Sequence, residues 1–258
     1  MAMAPVLEIE GVSVSFGGIR ALDSVSCHVA EGEFCGLVGP NGAGKTTLFN
    51  CVTRLYNVSH GEIRFCGQSL GGVRKRDIVR LGIARTFQNL GVYAGMSVLD
   101  NLLIGMHHTR KDRFFTPLTN PALAGAEERR GREWCREILR ELDLDDAAGV
   151  RAGDLPYGTL KRLEVARALA ASPRLLLLDE PAAGLTQGEV VEFGAILRRV
   201  RERFALTILL VEHNMRLVMS LCERIIVLHL GRKLAEGTPA AIQGNEAVIA
   251  AYLGRAPA

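Results

Sequence analysis

The chain has 258 residues, 48% hydrophobic and 23% charged, which suits a folded protein with a substantial core and excludes a disordered one. Its net charge of +3 gives no electrostatic case for nucleic acid as the main partner. No apolar run approaches the ~18–20 residues that span a bilayer, and Met1-Ala2-Met3-Ala4-Pro5 lacks the basic start and apolar stretch of a signal peptide.

Leu7-Glu8-Ile9-Glu10 and Val12-Ser13-Val14-Ser15-Phe16 alternate apolar and polar, the pattern of half-buried strands, and Gly17-Gly18 turns the chain. Val25 to Val29 and Phe34 to Val38 continue the strands. Next comes Gly39-Pro40-Asn41-Gly42-Ala43-Gly44-Lys45-Thr46-Thr47, which fits the phosphate-loop pattern G-x-x-x-x-G-K-[ST]. Leu48, Phe49, Val52 and Leu55 follow, mostly at helical spacing. Strand, glycine-rich turn and helix in that order let backbone N–H groups and a helix N-terminus converge on phosphate oxygens. Lys45 is then expected to reach the β- and γ-phosphates and Thr46 to hold Mg²⁺. Glu62 to Cys66 alternates again, and Ile83 to Gln88 reads as another short strand.

From residue 89 to 172 the character changes to helices, an expected insertion. Ser97 and Asp100 mark a helix start. Arg110 to Gly125, with Pro117, Asn120 and Pro121, reads as irregular. Glu127 to Leu142 carries Trp134, Ile138, Leu139 and Leu142 as an amphipathic helix, and Leu160 to Ala171 has apolar residues at helical spacing. Strand and helix then alternate. Leu175 to Leu178 is a buried strand ending at Asp179-Glu180. Thr186 and Glu189 form a capping box for a helix. Leu206 to Val211 is a strand ending at Glu212-His213. Arg224 to Leu230 and Lys233 to Glu236 flank a Gly231 turn, and Glu246 to Tyr252 is a last short helix. The pattern predicts an α/β fold with a mainly parallel core sheet, an antiparallel β edge and a helical insertion.

A carboxylate at the C-terminal end of a buried strand sits where open α/β sheets hold ligands. Asp179, expected beside the phosphate loop, therefore suits a Mg²⁺ ligand, and Glu180 a general base for an attacking water. The six cysteines (Cys27, Cys35, Cys51, Cys66, Cys135, Cys222) show no C-x-x-C spacing and read as packing thiols. No N-K-x-D base reader of a GTPase is present.

Together, Gly39 to Thr47, Gln88, Leu155-Pro156-Tyr157-Gly158, Leu175 to Pro181 and His213 resemble ATP-binding subunits of ABC transporters. Arg85 to Asn89, Leu155 to Gly158, Glu180 to Leu185 and Tyr252-Leu253-Gly254 further resemble the branched-chain amino acid importers. The resemblance implies one P-loop ATPase domain over residues 1–258, with 1–88 and 173–258 as core and β subdomain and 89–172 as the helical subdomain. It implies ATP and Mg²⁺ as cofactors, with Phe16 stacking on adenine and Gly39, Pro40, Asn41, Gly42, Ala43, Gly44, Lys45, Thr46 and Thr47 holding phosphates. Gln88 would touch Mg²⁺ or the attacking water, and His213 the γ-phosphate. Tyr157 and Gly158 would reach ATP held by a partner subunit. Pro156 stands where the family usually has serine, and Thr186 where it has an aspartate. The implied partners are transmembrane permease subunits, a second ATPase subunit in a homodimer or heterodimer, and indirectly an extracytoplasmic solute-binding protein. The implied place is the cytoplasmic face of the inner membrane, as a peripheral subunit. Urea, amides or other small solutes stay open as cargo, and a soluble ABC ATPase without a membrane partner stays open as a class.

Overall fold

The computed structural model describes residues 5–86, 91–106 and 121–253, with side chains from 125 in the last stretch. In chain order the strands and helices are β1 (Pro5–Phe16), β2 (Ile19–Ala30), β3 (Phe34–Val38), α1 (Lys45–Val52), β4 (His60–Phe65), β5 (Gln68–Ser69), β6 (Ile83–Arg85) and α2 (Val98–Gly105). They continue as α3 (Pro121–Glu141), α4 (Tyr157–Leu169), β7 (Leu175–Asp179), α5 (Gln187–Phe204), β8 (Thr207–Val211) and α6 (Met215–Leu221). The last are β9 (Arg224–His229), β10 (Arg232–Gly237), α7 (Pro239–Gln243) and α8 (Glu246–Leu253).

Two sheets form. One is antiparallel, in the order β2-β1-β4-β5, and the other runs β10-β9-β3-β8-β7-β6. Within the second, β9, β3, β8, β7 and β6 are parallel to one another, and only β10 is antiparallel. Every residue of β3, β7 and β8 is buried. Their alternate residues feed two separate cores. Leu176, Leu178, Ile208 and Leu210 face one core with α5 and helices α2 to α4. Leu175, Leu177, Leu209 and Val211 face another with α1 and the antiparallel sheet. A sheet covered on both faces needs such unbroken apolar strands.

Three expectations about elements need correction. Residues 121–125 are helical, the first turn of α3, because a proline at a helix start forfeits no hydrogen bond and has its φ preset. The helix after the phosphate loop stops at Val52 rather than running on to Leu55. Arg54 adopts a left-handed φ of 59°, which ends the helical path and leaves Leu55 exposed. Asp179 also lies one strand further from the phosphate loop than direct adjacency requires, because β8 sits between β3 and β7. The Ser97 cap is present, its hydroxyl accepting from the Asp100 N–H at 3.1 Å. The Thr186–Glu189 capping box is also present. All six cysteines are free thiols, five of them buried.

Candidate active site

The loop from Gly39 to Gly44 is gripped from two sides. Gly39 has a φ of 151°, and a Cβ there would lie 2.1 Å from the Leu228 carbonyl oxygen. Gly44 has a φ of 102°, and its Cβ would meet Leu22 at 2.7 Å and the Ala21 carbonyl oxygen at 2.8 Å. Only glycine fits such positions. The Gly231 N–H donates to the Ala43 carbonyl at 3.1 Å, so the β9–β10 turn holds the loop from outside. The chain then enters α1, whose first N–H groups have no intrahelical acceptor. Lys45 Nζ donates to the carbonyls of Gly39 at 2.7 Å and Pro40 at 3.1 Å, so the ammonium spans the loop mouth. Burial pushes its pKa down against the upward pull of the Glu180 and Asp179 carboxylates. A cavity of about 340 Å³ lies over this turn, lined by residues from Asn41 to Thr47 together with Ala21, Glu180 and His213. That volume falls within the range of small-ligand sites.

Asp179 ends β7 and is 1% exposed. Its Oδ2 accepts from Arg85 Nη2 at 2.6 Å. The same guanidinium donates through Nη1 to Asn50 Oδ1 at 2.7 Å and stacks over the Phe49 ring, so Arg85 ties β6 and α1 to Asp179. Asp179 Oδ1 is buried and has no hydrogen-bond partner among the described residues. An orphaned carboxylate oxygen of this kind calls for a partner, and a bound cation is a standard one. With the exposed Thr46 hydroxyl in the cavity, the donor set is all oxygen and fits Mg²⁺.

Glu180 is the next residue and is held in the left-handed region at a φ of 48°. For a residue with a Cβ this costs about 1–2 kcal/mol, so the surroundings must impose it. The Glu180 N–H donates to the Val211 carbonyl at 2.8 Å, extending the β7–β8 ladder by one bond. Its Oε1 lies 2.9 Å from His213 Nε2. Glu212, which sequence reading treated only as a strand end, is 4% exposed. Its Oε1 accepts from the Ala182 N–H at 2.7 Å, and its Oε2 accepts from the N–H groups of His213 at 3.0 Å and Asn214 at 3.2 Å. Arg85 and Glu212 are the two residues of this region whose importance was missed.

Phe16, Tyr157 and Gly158 lie outside this cavity. Phe16 is exposed at the β1–β2 turn, edge-on to Tyr56 with ring centroids 5.0 Å apart, and so is not a core residue of its strand. Tyr157 and Gly158 open α4, with Pro156 at its N-cap, and do not line the cavity of their own chain. The Tyr157 hydroxyl donates to the Ala183 carbonyl at 3.1 Å, and its ring fills the space where a Cβ on Gly184 would stand, 2.8 Å away. A Cβ on Gly158 would lie 2.8 Å from Glu189 Oε1. The start of α4 is thus packed on the turn that follows Glu180. Thr186 serves as the helix cap described above. Gln88 lies outside the described residues.

A parallel sheet that presents a phosphate loop, a buried carboxylate and a glutamate–histidine pair at its C-terminal edge is the arrangement of a nucleotide-hydrolysing motor. A family model described as "ABC transporter" matches residues 22–183, and one described as "Branched-chain amino acid ATP-binding cassette transporter" matches residues 232–258. The chain belongs to the ABC transporter family as one of its ATP-binding proteins. It is 41% identical to the high-affinity branched-chain amino acid transport ATP-binding protein BraF of Pseudomonas aeruginosa, over 98% of this chain and 99% of that one. It is 40% identical to the corresponding protein LivG of Escherichia coli (strain K12), again over 98% and 99%. Among solved structures, the ADP conformation of MJ1267, an ATP-binding cassette of an ABC transporter, matches with a TM-score of 0.85 at 28% identity. That match covers 98% of this chain and 100% of the other.

Proposed function

We propose that the chain is the ATP-hydrolysing motor subunit of an importer for branched-chain or other hydrophobic amino acids. The observation that carries the proposal is the single cavity joining Asn41 to Thr47 with Glu180 and His213. In this reading the loop N–H groups and the α1 N-terminus bind the phosphates of ATP, and Lys45 reaches the β- and γ-phosphates. Thr46 and Asp179, with Gln88, hold Mg²⁺, which supplies charge neutralisation at the phosphate oxygens. Glu180 accepts the proton of the attacking water, and His213 fixes Glu180 and contacts the γ-phosphate. Phe16, exposed at the β1–β2 turn, stacks on adenine.

Two such subunits close head-to-tail, so that Tyr157 and Gly158 of one meet the ATP of the other. Pro156 supplies no hydroxyl, and the α4 N–H groups carry that contact. ATP stabilises the closed pair because its γ-phosphate touches both subunits, and hydrolysis removes the bridge. No described helix is long and apolar enough to cross a membrane. Attachment at the cytoplasmic membrane face then rests on permease subunits. A groove of about 410 Å³, lined among others by Thr53, Ile78, Arg85, Tyr93, Ile104 and Arg167, supports a docking place between the core sheet and the helices. Mg²⁺-dependent ATP hydrolysis by the full chain, co-purification with permease subunits, and leucine uptake that needs Lys45 test this reading. Hydrolysis without any such partner or any amino acid uptake would contradict the transport assignment.

A further inference from the structure

We infer that Glu212 is a positioning residue that sets Glu180 against His213. The inference rests on the reading above, in which those two residues act on the γ-phosphate. Glu212 touches neither the cavity nor its expected contents. Its carboxylate joins the two turns that carry the reacting pair. One oxygen holds Ala182, two residues beyond Glu180, and the other holds the N–H groups of His213 and Asn214. The Glu180 turn is left-handed and closes with the Ala183 N–H on the Glu180 carbonyl at 3.1 Å. A strained turn persists only where its surroundings over-determine it, and the hydrogen bond from Ala182 is the side-chain anchor that does so. The Asn214 side chain in turn accepts from the Leu217 N–H at 3.2 Å, so the His213 turn is fixed to the start of α6 as well. Glu212 accepts all three N–H bonds as an acceptor-only carboxylate. An amide at this position would turn an NH₂ donor toward one of the two turns and release it.

The test compares steady-state ATP hydrolysis of the full chain with ATP affinity and urea unfolding, for wild type, Glu212→Gln, Glu212→Asp, His213→Ala, Glu180→Gln and the Glu212→Gln/His213→Ala double variant. Small misplacement of a reacting group lowers turnover by about 10- to 100-fold. That loss is expected in kcat for Glu212→Gln, with KM and ATP affinity within about twofold of wild type. Glu212→Asp keeps the charge and most of the volume but is one methylene short, so it is expected to unfold like wild type and still lose kcat. On the His213→Ala background, Glu212→Gln should add less than about threefold, because residues that act as a unit are not additive. A purely structural role predicts multiplied losses in the double variant and a rise in KM, and either would overturn the inference. Wild-type kcat in both Glu212 variants, with His213→Ala and Glu180→Gln impaired, would overturn the inference alone. Wild-type kcat in His213→Ala and Glu180→Gln would overturn the reading of the site beneath it.

Discussion

Asp179 and Glu212, two buried carboxylates of the site, bond to groups far away in sequence, and that pairing decides their roles. Asp179 and Arg85 are separated by 94 positions, yet both are nearly fully buried and paired. Removing one member of a buried ion pair leaves an uncompensated charge and costs about 3–5 kcal/mol. Arg85→Met is therefore expected to lower urea-unfolding stability by about that amount, and adding Asp179→Asn should restore part of it. Lys45→Ala removes the cation at the loop mouth, and calorimetry should then find no ATP binding. The residues of the phosphate loop, Asp179, Glu180 and His213 were legible in the sequence because each sits in or beside a short local pattern. Arg85 and Glu212 were not, because only the β6–β7 register and the approach of two turns give them partners.

At the scale of elements, caps and turns fix where each helix begins. The Thr186–Glu189 capping box starts α5, and losing such a cap costs about 0.5–2 kcal/mol. Thr186→Ala should reduce unfolding stability within that range and leave ATP affinity unchanged. The Thr186 backbone N–H and hydroxyl hold the Glu189 carboxyl below its ordinary range. A carboxylate with a lowered folded pKa stabilises at pH above its unfolded pKa and loses that contribution as pH falls through the folded value. The cap should therefore hold at neutral pH and fade in acid, and the wild-type and Thr186→Ala unfolding curves should converge there. Gly39→Ala should abolish ATP binding, because its Cβ has no room against Leu228. The buried strands were readable as short apolar runs, Phe34 to Val38, Leu175 to Leu178 and Ile208 to Val211, and the longer helices from periodicity, since α5 repeats its buried face. Helices α6 and α7 span seven and five residues and give periodicity too little length to register. The helical turn at 121–125 was hidden by Pro117 and Asn120 before it and by Pro121 at its first position.

For the whole molecule, two cores divided by one sheet place the phosphate loop, Asp179 and the Glu180–His213 pair along a common edge. That edge is half of the proposed reaction chamber, because Tyr157 and Gly158 lie away from the cavity of their own chain. In the proposed dimer a partner subunit supplies them, which would make binding of ATP and pairing of subunits one linked equilibrium. With hydrolysis blocked, ATP should drive the chain from monomer to dimer, read as a doubling of mass by light scattering. The parallel sheet and the antiparallel edge were predictable from strand patterns, whereas strand order was not, since β8 enters between β3 and β7 only through long-range pairing.

In the proposed reaction Glu180 drives hydrolysis of an ATP that the phosphate loop holds. Phosphate release in a single turnover, at equal ATP occupancy, compares wild type with Glu180→Gln directly. Unchanged ATP affinity and release slowed by about 100-fold or more are expected in the variant. Release at the wild-type rate from the Glu180→Gln variant would contradict that role of Glu180.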